Sequence, residues 1–154
     1  MADKLKVGSA PPAFSLPDQD GTVVKPAEYK GKWMVLYFYP NDDTPGCTTE
    51  ACEFRDAYDR FREQGVEILG VSPDTEASHQ KFKSKYELPF TLLADPEHHA
   101  AEAYGVWKEK KNYGKTHMGV ERSTFVIDAD GKVARAMRGI RPAGHAVKVL
   151  ETLG

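Results

Sequence analysis

This chain of 154 residues has only two cysteines, Cys47 and Cys52. Two are too few for the disulfide framework of a small secreted domain. Long hydrophobic runs are missing as well, since the longest, Trp33 to Tyr39, is far too short to cross a bilayer. Met1 to Lys6 carries no apolar stretch of the signal-peptide kind, so the expected location is a reducing cytoplasm with no membrane association. Neither sign of charge dominates: the formal net charge of −2 excludes a global field that would recruit nucleic acid or anionic lipid. Neither Cys-x-x-Cys nor His-Glu-x-x-His occurs. His79, His98, His99, His117 and His145 stand at no spacing from the cysteines that suggests zinc. With no internal repeat or low-complexity tract, residues 1–154 read as one domain, and 40% hydrophobic content suffices for a core without disulfide staples.

Strand and helix signals alternate along the chain, which predicts an α/β fold with helices packed on a central mixed sheet. Ala10 to Leu16 and Thr22 to Val24, joined by the polar Asp18 to Gly21, read as an N-terminal edge hairpin. Trp33 to Tyr39, free of charge and rich in β-formers, reads as a central strand covered on both faces. From Cys47, residues Ala51, Phe54, Tyr58 and Phe61 recur at helical spacing until Gln64-Gly65. Val66 to Ser72 reads as a second core strand, Asp74 to Tyr86 as a polar helix, Phe90 to Leu93 as a short strand and Pro96 to Tyr104 as a helix. A Gly- and Lys-rich loop is expected through Met118, with Lys108, Lys110 and Lys111 as a solvated basic cluster. Ser123 to Asp128 and Lys132 to Met137 predict a hairpin around Asp130-Gly131, and Pro142 to Leu153 a final helix. This is the thioredoxin-like order of elements.

The most informative segment runs from Tyr39 to Cys52, where the central strand gives way to a helix. Thr44 is a good N-cap, Pro45 suits the first helical position and Gly46 permits close backbone approach, so Cys47 falls in the first helical turn. There it faces free backbone N–H groups and the positive end of the helix dipole, which favour thiolate over thiol. Cys47 is therefore read as a reactive nucleophile. The competing reading is a pair of small, inert buried residues.

Five residues along a helix correspond to about 500° of rotation and place the two Cα atoms roughly 8–9 Å apart. A disulfide needs less than about 7 Å. If the two cysteines do bond, the first turns of the helix must unwind, and a helix start is a low-cost place for that. Otherwise Cys52 is a small residue on the helix flank.

The same residues resemble the peroxiredoxins, specifically the bacterioferritin comigratory protein (peroxiredoxin Q) branch. The family's Pro-x-x-x-Thr-x-x-Cys motif is matched by Pro40, Thr44 and Cys47. The branch's Thr-Pro-Gly-Cys-Thr-x-Glu-Ala-Cys is matched by Thr44 through Cys52, and the active-site arginine motif by Arg122 to Asp128. The similarity runs from about Val7 to the C-terminus. It implies a thiol-dependent peroxidase acting on hydrogen peroxide and organic hydroperoxides. Cys47 would be the peroxidatic cysteine, oxidised to a sulfenic acid, and Cys52 the resolving cysteine that forms an intramolecular disulfide. A thioredoxin-type protein would be the reductant. No metal or organic cofactor is required by this chemistry, and a resolving cysteine on the same chain makes a monomer the expected state.

Roles follow from where charge develops. Arg122 offers a planar fork of permanently charged donors to the sulfur and the peroxide oxygens, unless it is a surface ion pair. The Thr44 hydroxyl can cap the helix or hydrogen-bond the peroxide. Pro40, without an N–H, either shields the sulfur or simply ends the strand. Glu50 either orients the site or merely favours the helix N-terminus, and Trp107 and Phe14 either form an apolar rim or pack the core. Two other functions compete: a thioredoxin-type thiol–disulfide oxidoreductase, against which the spacing of four residues between the cysteines argues, and a redox-sensing module switched by unwinding of the Cys47 helix.

Overall fold

The computed structural model describes residues 6–112 and 114–153, so the Met1 to Leu5 stretch read above lies outside it. Its centre is β3, Trp33–Phe38, which alternates sides as a strand covered twice must. Val35, Tyr37 and Tyr39 point into one apolar cluster and Met34, Leu36 and Phe38 into another. Strands β4 (Val66–Ser72) and β5 (Thr91–Ala94) continue the sheet in parallel on one side of β3. Strand β8 (Ser123–Ile127) lies antiparallel on the other side, followed by antiparallel β9 (Val133–Arg138). The sheet order is thus β5-β4-β3-β8-β9, the mixed, helix-flanked arrangement expected.

Helix α1, Pro45–Glu63, lays Cys47, Ala51, Phe54, Ala57 and Phe61 on the first cluster, where α4 (His145–Leu153) adds Ala146, Val149 and Leu150. Helix α2, Glu76–Lys85, contributes Phe82 to the same cluster. The short α3, His99–Ala103, covers the opposite cluster with Ala100 and Ala101, beside Tyr104. Gly70 on β4 is required by packing: a Cβ there would lie 2.9 Å from the Tyr37 ring, which fills that space and stacks on Phe54 at 4.8 Å.

Several boundaries differ from the sequence reading. The N-terminal hairpin exists but pairs only Leu16–Pro17 (β1) with Val23–Val24 (β2). Helix α2 starts after Thr75, whose hydroxyl caps the Ser78 N–H, rather than at Asp74. Helix α4 begins at His145, three residues after Pro142. The expected Gly- and Lys-rich loop is instead an antiparallel ribbon of β6 (Trp107–Asn112) and β7 (Lys115–Val120), separate from the main sheet. Lys108 and Lys110 are strand residues there, half-buried. No helix among the described residues is long and apolar enough to cross a membrane.

Candidate active site

The carboxyl end of β3 leads into a loop that is tied firmly to α2. Tyr39 Oη donates to Asp42 Oδ1 at 2.6 Å, while Asp42 Oδ2 lies 2.7 Å from both Ser78 Oγ and His79 Nδ1. The Asp42 backbone N–H donates to Asp74 Oδ2 at 2.8 Å, and the other His79 nitrogen lies 2.9 Å from the Leu93 carbonyl oxygen. Asp43, in the left-handed region at φ 53°, accepts from Lys85 Nζ at 2.7 Å and Tyr86 Oη at 2.6 Å. Those two donors, Lys85 first, hold its exposed carboxyl below the usual range.

Thr44 has the extended backbone of an N-cap, φ −100° and ψ 156°, and Pro45 takes the first helical position as expected. Its side chain, however, does not cap. The hydroxyl turns back and donates to the Asn41 carbonyl oxygen at 3.0 Å. The N–H groups of Gly46 and Cys47 therefore have no side-chain cap and, among the described residues, no backbone partner. They are free donors at the positive end of a 19-residue helix.

Cys47 is 1% exposed, on the buried face of α1. Arg122 reaches it from the start of β8. The pairing of Phe38 with Ser123 sets Arg122 beside the carboxyl end of β3, and its carbonyl is fixed by the Ile140 N–H at 3.1 Å. Arg122 Nη2 donates to Cys47 Sγ at 3.3 Å and Nη1 to Glu50 Oε1 at 2.7 Å. Gly46 makes that approach possible, since a Cβ there would lie 3.1 Å from Nη2. Burial opposes the charge on Arg122, but Glu50 and Cys47 outweigh it and raise its pKa.

Glu50 is one helical turn from Cys47 on the same face and has a side-chain exposure of 0%. Burial pushes its pKa up to about 7, with Arg122 pulling in the other direction. Its Oε2 and the Tyr37 hydroxyl are both buried and unpartnered among the described residues. Burial, reinforced by Glu50 and Cys47, holds the Tyr37 phenol well above its ordinary pKa, so it stays neutral. Behind the site, His145 Nε2 lies 2.7 Å from Thr124 Oγ1, and burial, then Lys148 and Arg122, lower the His145 pKa to about 4.

Pro40, Thr44, Cys47 and Arg122 thus lie around one junction, and Glu50 joins them as an orienting ligand of Arg122. Cys52 does not face Cys47. It lies part-exposed on the flank of the same unbroken helix, both thiols are free, and helix geometry keeps their Cα atoms roughly 8–9 Å apart. Trp107 stacks on His98 at 4.0 Å and Phe14 packs edge-on to Tyr104, both against the cluster on the other face of the sheet. Their packing reading is the one the geometry supports. Two participants escaped the sequence reading. The Asp42–His79 link joins residues 37 positions apart, a separation no local pattern reveals. Lys110 lies half-buried in the ribbon with its stem across Gly119, and burial, then Arg122, lower its pKa, with Cys47 pulling the other way.

The AhpC/TSA family model matches residues 7–136. The chain is 51% identical to the peroxiredoxin Bcp of Bacillus subtilis over 149 residues, spanning 97% of this chain and 95% of the relative. With the peroxiredoxin Bcp of Escherichia coli the identity is 44%, over 97% and 96%. Among solved structures, a cysteine-to-serine variant of Xylella fastidiosa PrxQ superposes with a TM-score of 0.93 at 34% identity, over 99% of this chain and 97% of that one. The Xanthomonas campestris bacterioferritin comigratory protein, described for its alkyl peroxide reduction activity, superposes at 0.87 with 41% identity, over 91% and 89%.

Proposed function

The chain belongs to the AhpC/TSA family, in its Bcp/peroxiredoxin Q branch, and is a thiol peroxidase; on that premise we propose which residues carry each step. Cys47 Sγ attacks one oxygen of the peroxide. An S–O bond forms as the O–O bond breaks, the leaving alkoxide or hydroxide takes a proton, and Cys47 becomes a sulfenic acid. The observation that carries this reading is the buried Cys47 sulfur with Arg122 Nη2 at 3.3 Å. As negative charge moves from sulfur to the departing oxygen, the Arg122 fork and the free N–H groups of Gly46 and Cys47 are donors fixed in place beforehand. Thr44 already donates to Asn41, so its hydroxyl oxygen is left to accept from the peroxide O–H. Glu50 is a positioning residue that holds Arg122 over the sulfur, and Pro40 limits access of water to it.

Cys52 then attacks the sulfenic sulfur. An S–S bond forms and hydroxide leaves, protonated to water. The helical separation of the two residues means that this step follows local opening of the start of α1. A thioredoxin-type dithiol restores both thiols by exchange. Hydrogen peroxide and organic hydroperoxides are the proposed substrates, the latter in line with the alkyl peroxide reduction ascribed to the Xanthomonas relative. The proposed location is the cytoplasm, whose reducing environment keeps both thiols free between cycles, and the proposed state is a monomer, since Cys52 is supplied by the same chain.

Mass spectrometry of peroxide-treated protein tests the assignment. The parent protein should lose two hydrogens, Cys52→Ser should gain oxygen on Cys47, and Cys47→Ser should do neither and show no turnover. Normal turnover by Cys47→Ser, or unimpaired thioredoxin-dependent cycling by Cys52→Ser, would overturn the corresponding role.

A further inference from the structure

A cavity of about 460 Å³ opens at the other end of β3 from Cys47. Its floor is the paired Met34 and Ile127, where β3 and β8 meet farthest from Arg122. Its walls are the Ala10–Phe14 segment, the 3-10 turn Pro26–Tyr29 and the turn between β8 and β9 around Gly131. Prolines at 11 and 26 restrict two of those walls. The volume lies within the range of small-molecule sites, and the floor and nearest walls are apolar. At about 3.3 Å per strand residue, Met34 lies roughly 13 Å along β3 from Phe38, so the cavity shares no lining with the peroxide site.

The rim is charged and uneven. Lys25, Lys30, Lys32 and Lys132 line it, all of them solvent-facing, against Asp128 and Asp130. None of the four lysines makes an ion pair among the described residues. Asp128 is partly engaged in its own turn, where Oδ1 accepts the backbone N–H groups of Asp130 and Lys132 at 3.0 Å each. The surplus positive charge therefore surrounds an apolar floor. A ligand complementary to both must be an anion at one end and hydrocarbon at the other.

We infer that this cavity is a second binding site, for a monocarboxylate with a medium-length apolar tail. Its carboxylate sits among the rim lysines and its tail lies over Met34, Ile127 and Phe14. A neutral tail of the same length lacks the first contact and an inorganic anion lacks the second. The site gives the enzyme a hold on fatty-acid-like molecules that is separate from its chemistry on peroxides and does not rest on the roles proposed for Cys47 and Cys52.

The test uses the reduced full chain with 13C-methyl methionine, titrated with sodium decanoate below its micelle concentration. The Met34 methyl, assigned through Met34→Leu, should shift saturably while that of Met118, exposed on the ribbon, stays put. Decanol should bind about tenfold more weakly or worse, the loss expected for one good charge contact. The surface double variant Lys32→Glu, Lys132→Glu should weaken decanoate by at least the same factor, leave decanol unchanged and keep peroxide turnover at the parental rate. An unshifted Met34 methyl, equal binding of decanol and decanoate, or unweakened decanoate binding by the double variant would each overturn the inference.

Discussion

The loop Pro40–Thr44 and the helical turn that follows it are neighbours in sequence but are held in opposite ways. Asp42 and Asp43 tie the loop to α2 through Ser78, His79, Lys85 and Tyr86, bonds that span more than thirty residues of chain. The first turn of α1 has no side-chain cap, and beyond its apolar packing it is tied to the rest of the fold by the side-chain hydrogen bonds of Cys47 and Glu50 with Arg122. The proposed site of oxidation, Cys47, is thus itself part of what holds the turn. In the proposed cycle the loop is the fixed platform and the turn is the part that has to open. On the roles proposed above, oxidation of Cys47 would weaken that hold at the step in which Cys52 must reach it.

The largest effect is expected at Arg122, which holds the turn. Arg122→Ala removes both the donor to the sulfur and the anchor of Glu50, and should slow the first oxidation step by roughly 10²–10³-fold, the usual loss for one charge-stabilising donor. Stopped-flow fluorescence of the reduced protein with peroxide measures this, and an unchanged rate would leave Arg122 a structural ion pair. On the loop side, Asp42→Ala strands Tyr39, Ser78 and His79 without their acceptor. It should cost about 2–4 kcal/mol of stability, read from urea denaturation. A loss below about 0.5 kcal/mol would show that the platform is not held as described.

Much of this was legible in the chain. Trp33–Phe38 is an unbroken apolar run because both its faces are covered, and Gly65 ends α1 where the periodicity stops. The β6–β7 ribbon was not legible, because Lys- and Gly-rich strands outside the main sheet show no alternation of buried and exposed residues. Thr44 was placed correctly by its type and position. The direction of its hydroxyl depended on the Asn41 carbonyl, which only the folded loop presents. Glu50 was visible at the right spacing from Cys47, but its burial depends on the arrival of Arg122 from 72 residues away.

Glu50 gives a smaller and signed effect. Its folded pKa of about 7 lies above the ordinary carboxylate value, so the native state keeps a proton that the unfolded chain has already lost. The stability it contributes is present below the unfolded pKa and is lost as pH rises from there through about 7. The slope is at most about 1.4 kcal/mol per pH unit, and Glu50→Gln should flatten it. Denaturation curves at several pH values across that window check the sign, and a stability that rose through it on account of Glu50 would contradict the assignment.

The smallest effect sharpens the helix side. Thr49 Oγ1 donates back to the Pro45 carbonyl oxygen at 3.0 Å within the first turns. Replacing this exposed threonine with alanine, a better helix former by about 0.5 kcal/mol, should slow disulfide formation about twofold and leave the first oxidation step unchanged. Quenched-flow trapping of the disulfide separates the two steps.

Cys47 is proposed to react from an intact helix and to meet Cys52 only after that helix opens. Amide hydrogen exchange on the reduced and the disulfide forms tests it directly. Residues 48–55 should exchange slowly when reduced and lose protection in the disulfide form, while β3 and α2 keep theirs. Undiminished protection of residues 48–55 in a protein shown by mass to carry the Cys47–Cys52 disulfide would contradict it.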